Sequence, residues 1–141
     1  MRGRLMARLL EGEWPNPIRL LVAWIKQDLH MQAMSRLPDN VGEHLPAVIL
    51  SGAPSGRMDG YTRGASVDID VYAADWHQMA AVTGRLEASL FRLAGNGTQA
   101  GYADDTDLTS WSSRGYARDP GVLVCTATVT LTLRPQPTTT D

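Results

Sequence analysis

Three kinds of side chain in this 141-residue sequence have the chemistry for catalysis or metal binding: a pair of aspartates, three histidines and one cysteine. Asp68 and Asp70 stand two apart in Ser66-Val-Asp-Ile-Asp-Val-Tyr72. Alternate residues of a strand share a face, so both carboxylates point the same way, as two oxygens approaching one divalent cation must. Such a cation takes six or more oxygens, and the sequence fixes no further ligand beside the pair. His77 sits beyond a helix cap, while Asp104, Asp105 and Asp107 fall in a stretch that no pattern assigns to an element. The pair therefore reads as a solvated or interface-facing strand face, with a small α+β enzyme using Asp68 and Asp70 as the lesser alternative. His30, His44 and His77 lack the i, i+4 spacing of a zinc helix. Cys125 falls in the inward register of a strand, where a thiol acts as a small hydrophobe. Gly95-Asn-Gly97 has neither the further glycines nor the Lys-Ser/Thr of a phosphate-cradling loop. No catalytic residue, metal site or cofactor is expected.

The elements that position these residues can be read from caps and periodicity. Asn16-Pro17 is a helix start, because asparagine caps the first turn and proline at the first helical position has no N–H to leave unpaired. Ile18, Leu21, Val22, Ile25 and Leu29 follow at three- and four-residue spacing, and Pro38 closes the run. Leu20 and Trp24 widen this stripe. A broad core face is the simpler explanation, and a surface covered by a partner is the other, so both residues are candidate contacts. Ala47-Val-Ile-Leu-Ser51 reads as a strand, followed by a glycine- and proline-rich loop from Gly52 to Gly64. Arg57, Met58, Tyr61 and Arg63 give that loop the composition of a protein interface. In the next strand Val67, Ile69 and Val71 face one way, and Ser66, Asp68, Asp70 and Tyr72 the other.

Asp75 and Gln78 match a capping box, and Met79, Val82, Leu86, Leu90 and Leu93 mark the helix that stops at Gly95. A strand resumes near Leu108 and runs past Trp111. After the Asp119-Pro-Gly121 turn, Leu123, Cys125, Ala127, Val129, Leu131 and Leu133 face inward, and Thr126, Thr128, Thr130 and Thr132 outward. The expected fold is a single α+β domain in the order α-β-β-α-β-β, an antiparallel sheet of about four strands with two helices on one face. Residues 1–14 form an N-terminal arm, 15–134 the domain and 135–141 a polar tail.

Composition narrows the function classes. Hydrophobic residues make up 43% and charged residues 20%, the balance of a folded globular domain. A net charge of −2 lacks the basic excess of a protein that grips many phosphates. A single cysteine excludes an internal disulfide and favours a reducing compartment. No apolar run is long enough to span a membrane. Near the start, Leu5, Met6, Leu9 and Leu10 lie among Arg2, Arg4 and Arg8, but Glu11 and Glu13 interrupt before a signal-peptide core develops.

Leu45-Pro-Ala-Val-Ile-Leu-Ser51, the Gly/Arg loop and Ser66 to Tyr72 leading into an alanine-rich helix resemble the tail terminator proteins of long-tailed, non-contractile (siphovirus-type) bacteriophages. The likeness extends to Asn16-Pro-Ile-Arg-Leu-Leu-Val-Ala-Trp24 and to Asp119 through Leu133, covering about residues 15–134. These strings carry an order of elements rather than a catalytic signature. The resemblance implies a structural virion protein with no enzymatic activity, assembled in the host cytoplasm at the head-proximal end of the tail. It implies a hexameric ring that caps the tail tube, stops its polymerisation and docks the head-tail connector. Genome DNA would pass through the lumen unbound, and, extending that reading, the polar strand face with Asp68 and Asp70 is expected to lie toward it. A neighbouring neck or tail completion protein is the alternative. Residues 1–14 depart from the pattern by preceding the usual helix start, and an amphipathic arm gripping a neighbouring subunit is one use for them.

Overall fold

The computed structural model describes residues 14–58, 63–116 and 118–135, with 53–58 as backbone only. Residues 1–13, the polar tail from residue 136 and Tyr61 lie outside the described residues, as do the side chains of Arg57 and Met58.

Helix α1, Pro17–Leu29, begins where expected: the Asn16 side chain accepts from the backbone N–H groups of Ile18 and Arg19 at 3.0 and 3.3 Å, with Pro17 at the first position. It stops well before Pro38, because His30 turns left-handed (φ 55°) and its N–H donates back to the Lys26 carbonyl. Helix α2, Trp76–Leu93, is capped by Asp75, which accepts from the Gln78 N–H at 2.8 Å. The Gln78 side chain reciprocates one residue early, accepting from the Ala74 N–H at 2.8 Å.

The sheet has seven strands rather than about four. They are β1 (Ala33–Met34), β2 (Ala47–Met58), β3 (Arg63–Ala73), β4 (Asn96–Thr98), β5 (Gly101–Leu108), β6 (Ser112–Gly115) and β7 (Leu123–Leu133). The order is β1-β2-β3-β7-β5-β4, with β6 also pairing β7, and the sheet curls into a half-barrel. β1 runs parallel to β2 and every other pair is antiparallel, so the sheet is mixed.

Two expectations change. The Gly52–Gly64 loop is mostly strand: β2 continues to Met58 and pairs with β3, with a register shift between Pro54 and Met58. Gly52 has a positive φ of 148°, which L side chains rarely adopt, and a Cβ there would lie 2.4 Å from the Ser66 carbonyl oxygen, so glycine here permits close pairing instead of ending the strand. The strand expected to run from near Leu108 past Trp111 is two strands, since β5 closes at Leu108 and β6 opens at Ser112.

Both helices pack on one face of the sheet, as expected. Leu20, Leu21, Ile25, Leu86, Leu90 and Leu93 meet Val67, Ile69, Val71, Val129, Leu131 and Leu133 in one cluster. Leu20 is fully buried there and Trp24 nearly so, and the Trp24 indole N–H donates to the Ser89 carbonyl at 2.9 Å. The wide stripe is therefore a broad core face, and neither residue offers surface to a partner. A smaller second cluster lies on the opposite face, where the turn Val41–Glu43 and Tyr116 cover Ala47, Ile49, Tyr72, Val122 and Val124. Tyr116 meets Tyr72 edge-on, with ring centroids 5.4 Å apart.

Candidate functional site: the polar face of the sheet

Away from that second cluster, the face turned from the helices carries carboxylates and hydroxyls in register. On β3 and β7, Ser66 stands opposite Thr130, Asp68 opposite Thr128 and Asp70 opposite Thr126. Directly opposed residues share a face. The Thr128 hydroxyl donates to Asp68 Oδ1, and the Thr126 hydroxyl to Asp70 Oδ1, both at 2.8 Å. Arg114 reaches over from β6, with Nη2 at 3.4 Å from Asp70 Oδ2 and Nε at 3.4 Å from the Thr126 hydroxyl.

β5 adds two carboxylates that the sequence pattern left unplaced. Asp105 stands opposite Thr132 and Asp107 opposite Thr130, so both join the face of Asp68 and Asp70. The alternation that would have marked them is broken by the register shift between Ala103 and Asp105, where the extra residue, Asp104, pairs with Arg134 at 2.7 Å. Thr106 points the other way and donates to the Leu90 carbonyl at 2.8 Å, which ties β5 to the end of α2.

The result is a ladder of four threonines on β7 between two aspartates on β3 and two on β5. Same-face neighbours along a strand are about 7 Å apart and adjacent strands about 4.8 Å. Carboxylates on β3 and β5, with β7 between them, are too far apart to share a cation whose oxygens must lie within about 2.6 Å. Among the described residues no three His, Cys, Asp or Glu side chains come together as a metal site. The arrangement is a surface, on which, among the described residues, the Arg114 guanidinium reaches Asp70.

The other residues with chemical potential lie apart from it. His30 caps α1, His44 follows the Val41–Glu43 turn and His77 is exposed on α2. Cys125 is buried, and burial pushes its thiol pKa up, away from the nucleophilic thiolate. Burial also pushes the Tyr72 phenol up, with the nearby Asp70 charge adding to the effect. Arg63 is half-buried on β3 with its guanidinium over the Trp14 ring, 4.5 Å from the centroid, so this candidate contact is engaged within the chain. An open cleft of about 240 Å³ between Asn40, Glu43, Tyr116 and Asp119 brings together none of the expected site residues. Two of its acids are already engaged: Glu43 accepts from Asn40 at 2.8 Å, and Asp119 from the Gly121 N–H at 3.0 Å.

No protein-family model matches the chain, and its sequence matches no curated protein. Function has to be argued from the residues themselves.

Proposed function

We propose that this chain is a structural assembly subunit of the tail-terminator kind, forming a hexameric ring that caps the tail tube of a long-tailed phage and receives the head connector. The observation that carries the reading is the polar face: four carboxylates spread in register along a threonine ladder, forming a lining rather than a pocket. Head-to-tail contacts between identical subunits close into rings where the rotation between them closes, and a ring needs a surface for its channel.

In this reading Asp68, Asp70, Asp105 and Asp107 face the lumen. Fixed carboxylates there repel phosphates within a Debye length, about 8 Å at physiological salt, so DNA slides past without binding. The threonine hydroxyls keep the wall wet without adding positive charge. The reading also builds on the resemblance of residues 15–134 to tail terminators, from which the ring and its lumen are taken.

The test is to add the purified chain to its matching tail-tube protein during polymerisation. Tubes blocked at one end and no longer growing are the expected result. Tubes that keep growing and carry no cap would overturn the reading, and a ring that binds only the connector would favour a neck protein instead. The double substitution Asp68→Arg with Asp70→Arg should leave the ring intact and hinder DNA passage. Loss of the ring would assign the two residues to an interface between subunits.

A further inference from the structure

Helix α2 turns Met79, Val82, Leu86, Leu90 and Leu93 to the core. Its outer face carries Ala80, Ala81, Gly84, Ala88 and Phe91, all exposed, and His77 near its start. Phe91 is 67% exposed and Trp76, at the helix start, 59%. Small side chains between two large exposed aromatics give this helix face an apolar surface that no element of the described chain covers. Gly84 adds a separate observation. A glycine inside a helix weakens it relative to alanine, and nothing in this fold calls for one here: a Cβ at Gly84 would meet no atom within 4 Å. Close approach by a second element would give it a purpose.

The charges bordering this face are asymmetric. On the side facing α1, Arg85 donates to the Leu29 carbonyl at 2.9 Å and Arg92 pairs with Asp28 at 2.8 Å. On the other border Glu87 is exposed, and among the described residues it forms no ion pair. An occupant that is apolar on one side and basic beside it would complement this face.

The chain itself contains such a segment. Leu5, Met6, Leu9 and Leu10 recur at the three- and four-residue spacing of a helical stripe, with Arg2, Arg4 and Arg8 interleaved. The chain below it is pinned, with the Trp14 ring under Arg63 and Pro15 packed where a Cβ on Gly101 would fall. We infer that Leu5–Leu10 of a neighbouring copy dock on the outer face of α2, with their leucines over Gly84 and Ala88 and Arg8 toward Glu87. This rests on the ring reading only in requiring neighbouring copies, and it names the contact that would link them.

The test uses the full chain carrying Leu9→Cys and Ala88→Cys under a mild oxidant, since the native Cys125 is buried and does not compete. Disulfide-linked multiples of the chain mass on a non-reducing gel are expected. A disulfide confined to single chains, or thiols left unreacted, would overturn the inference. Phe91→Glu, a change at an exposed position, should lower the cross-linked yield at least tenfold, and an unchanged yield would also overturn it. Arg8→Glu should weaken cross-linking and Glu87→Arg added to it should restore it; failure to restore would remove the Arg8–Glu87 contact. Capped tubes without cross-links would leave the ring standing and end the arm inference, whereas cross-linked multimers that ignore the tube would do the reverse.

Discussion

Along β3, Val67, Ile69 and Val71 alternate with Asp68 and Asp70, and the two sets meet opposite environments on the two faces of the same backbone. The first set is fully buried against both helices, whereas Asp68 is exposed and Asp70 half-buried. The inner face is held by apolar burial and close packing, which water cannot replace. The bonds of the outer face, carboxylate to threonine and carboxylate to arginine, exchange for water at small net cost. Fold stability thus leaves the outer face largely free. On the proposed reading, its aspartates serve what meets that surface rather than what holds the sheet together.

The comparison is broken most readily from the inside. Leu131→Ala removes a fully buried side chain from the helix-covered face and should cost about 2–5 kcal/mol in urea unfolding. A loss under 1 kcal/mol would mean that this face is looser than its packing indicates. Trp24→Phe keeps most of the apolar volume but removes the indole N–H that donates to the Ser89 carbonyl, and should cost about 0.5–1.5 kcal/mol by the same measurement.

Changes on the outer face should be smaller. Asp68→Asn with Asp70→Asn should lower stability by no more than about 1 kcal/mol, since Asp68 is exposed and half-buried Asp70 pairs, among the described residues, only with a half-exposed Arg114 and a threonine hydroxyl that an asparagine oxygen can still accept from. A loss above about 2 kcal/mol would make the aspartates structural and weaken the case for a lining. The smallest effect belongs to the rim between the helices, where the Arg92 guanidinium holds the Asp28 carboxyl below the usual carboxylate range. A depressed folded-state pKa contributes stability that is present above the unfolded value of about 3.9 and is lost as the pH falls through the folded value. Because Arg92 is half-exposed, the contribution should be about 0.2–1 kcal/mol. Comparing Asp28→Asn with the native chain from pH 7 downward should show a gap that closes in acid; a gap that widens would contradict the assignment.

Much of this architecture is written in local patterns. The Asn16-Pro17 start, the Asp75 and Gln78 cap and the alternation of β3 and β7 each arise from neighbours within a few residues, so they can be read before any contact is known. Features set by distant partners are hidden. Gly52 and Pro54 signal a loop locally, yet pairing with β3 carries β2 through them. β1, β4 and β6 have two to four residues each, too few for a periodic signal. On the candidate surface, Asp68 and Asp70 stand out from the pattern of β3, while Asp105 and Asp107 are concealed by the irregularity at Asp104. The outward register of Ile49, Tyr72 and Val124 likewise gives no sign that a second cluster covers them.

Whether the carboxylate and threonine face lines a channel is read most directly by electron microscopy of the purified chain, alone and with a candidate tail-tube protein. Six-fold rings in which Asp68, Asp70, Asp105 and Asp107 border the central opening are expected. A monomer that ignores the tube, or a ring with these aspartates on its outer rim, would contradict the proposed reading.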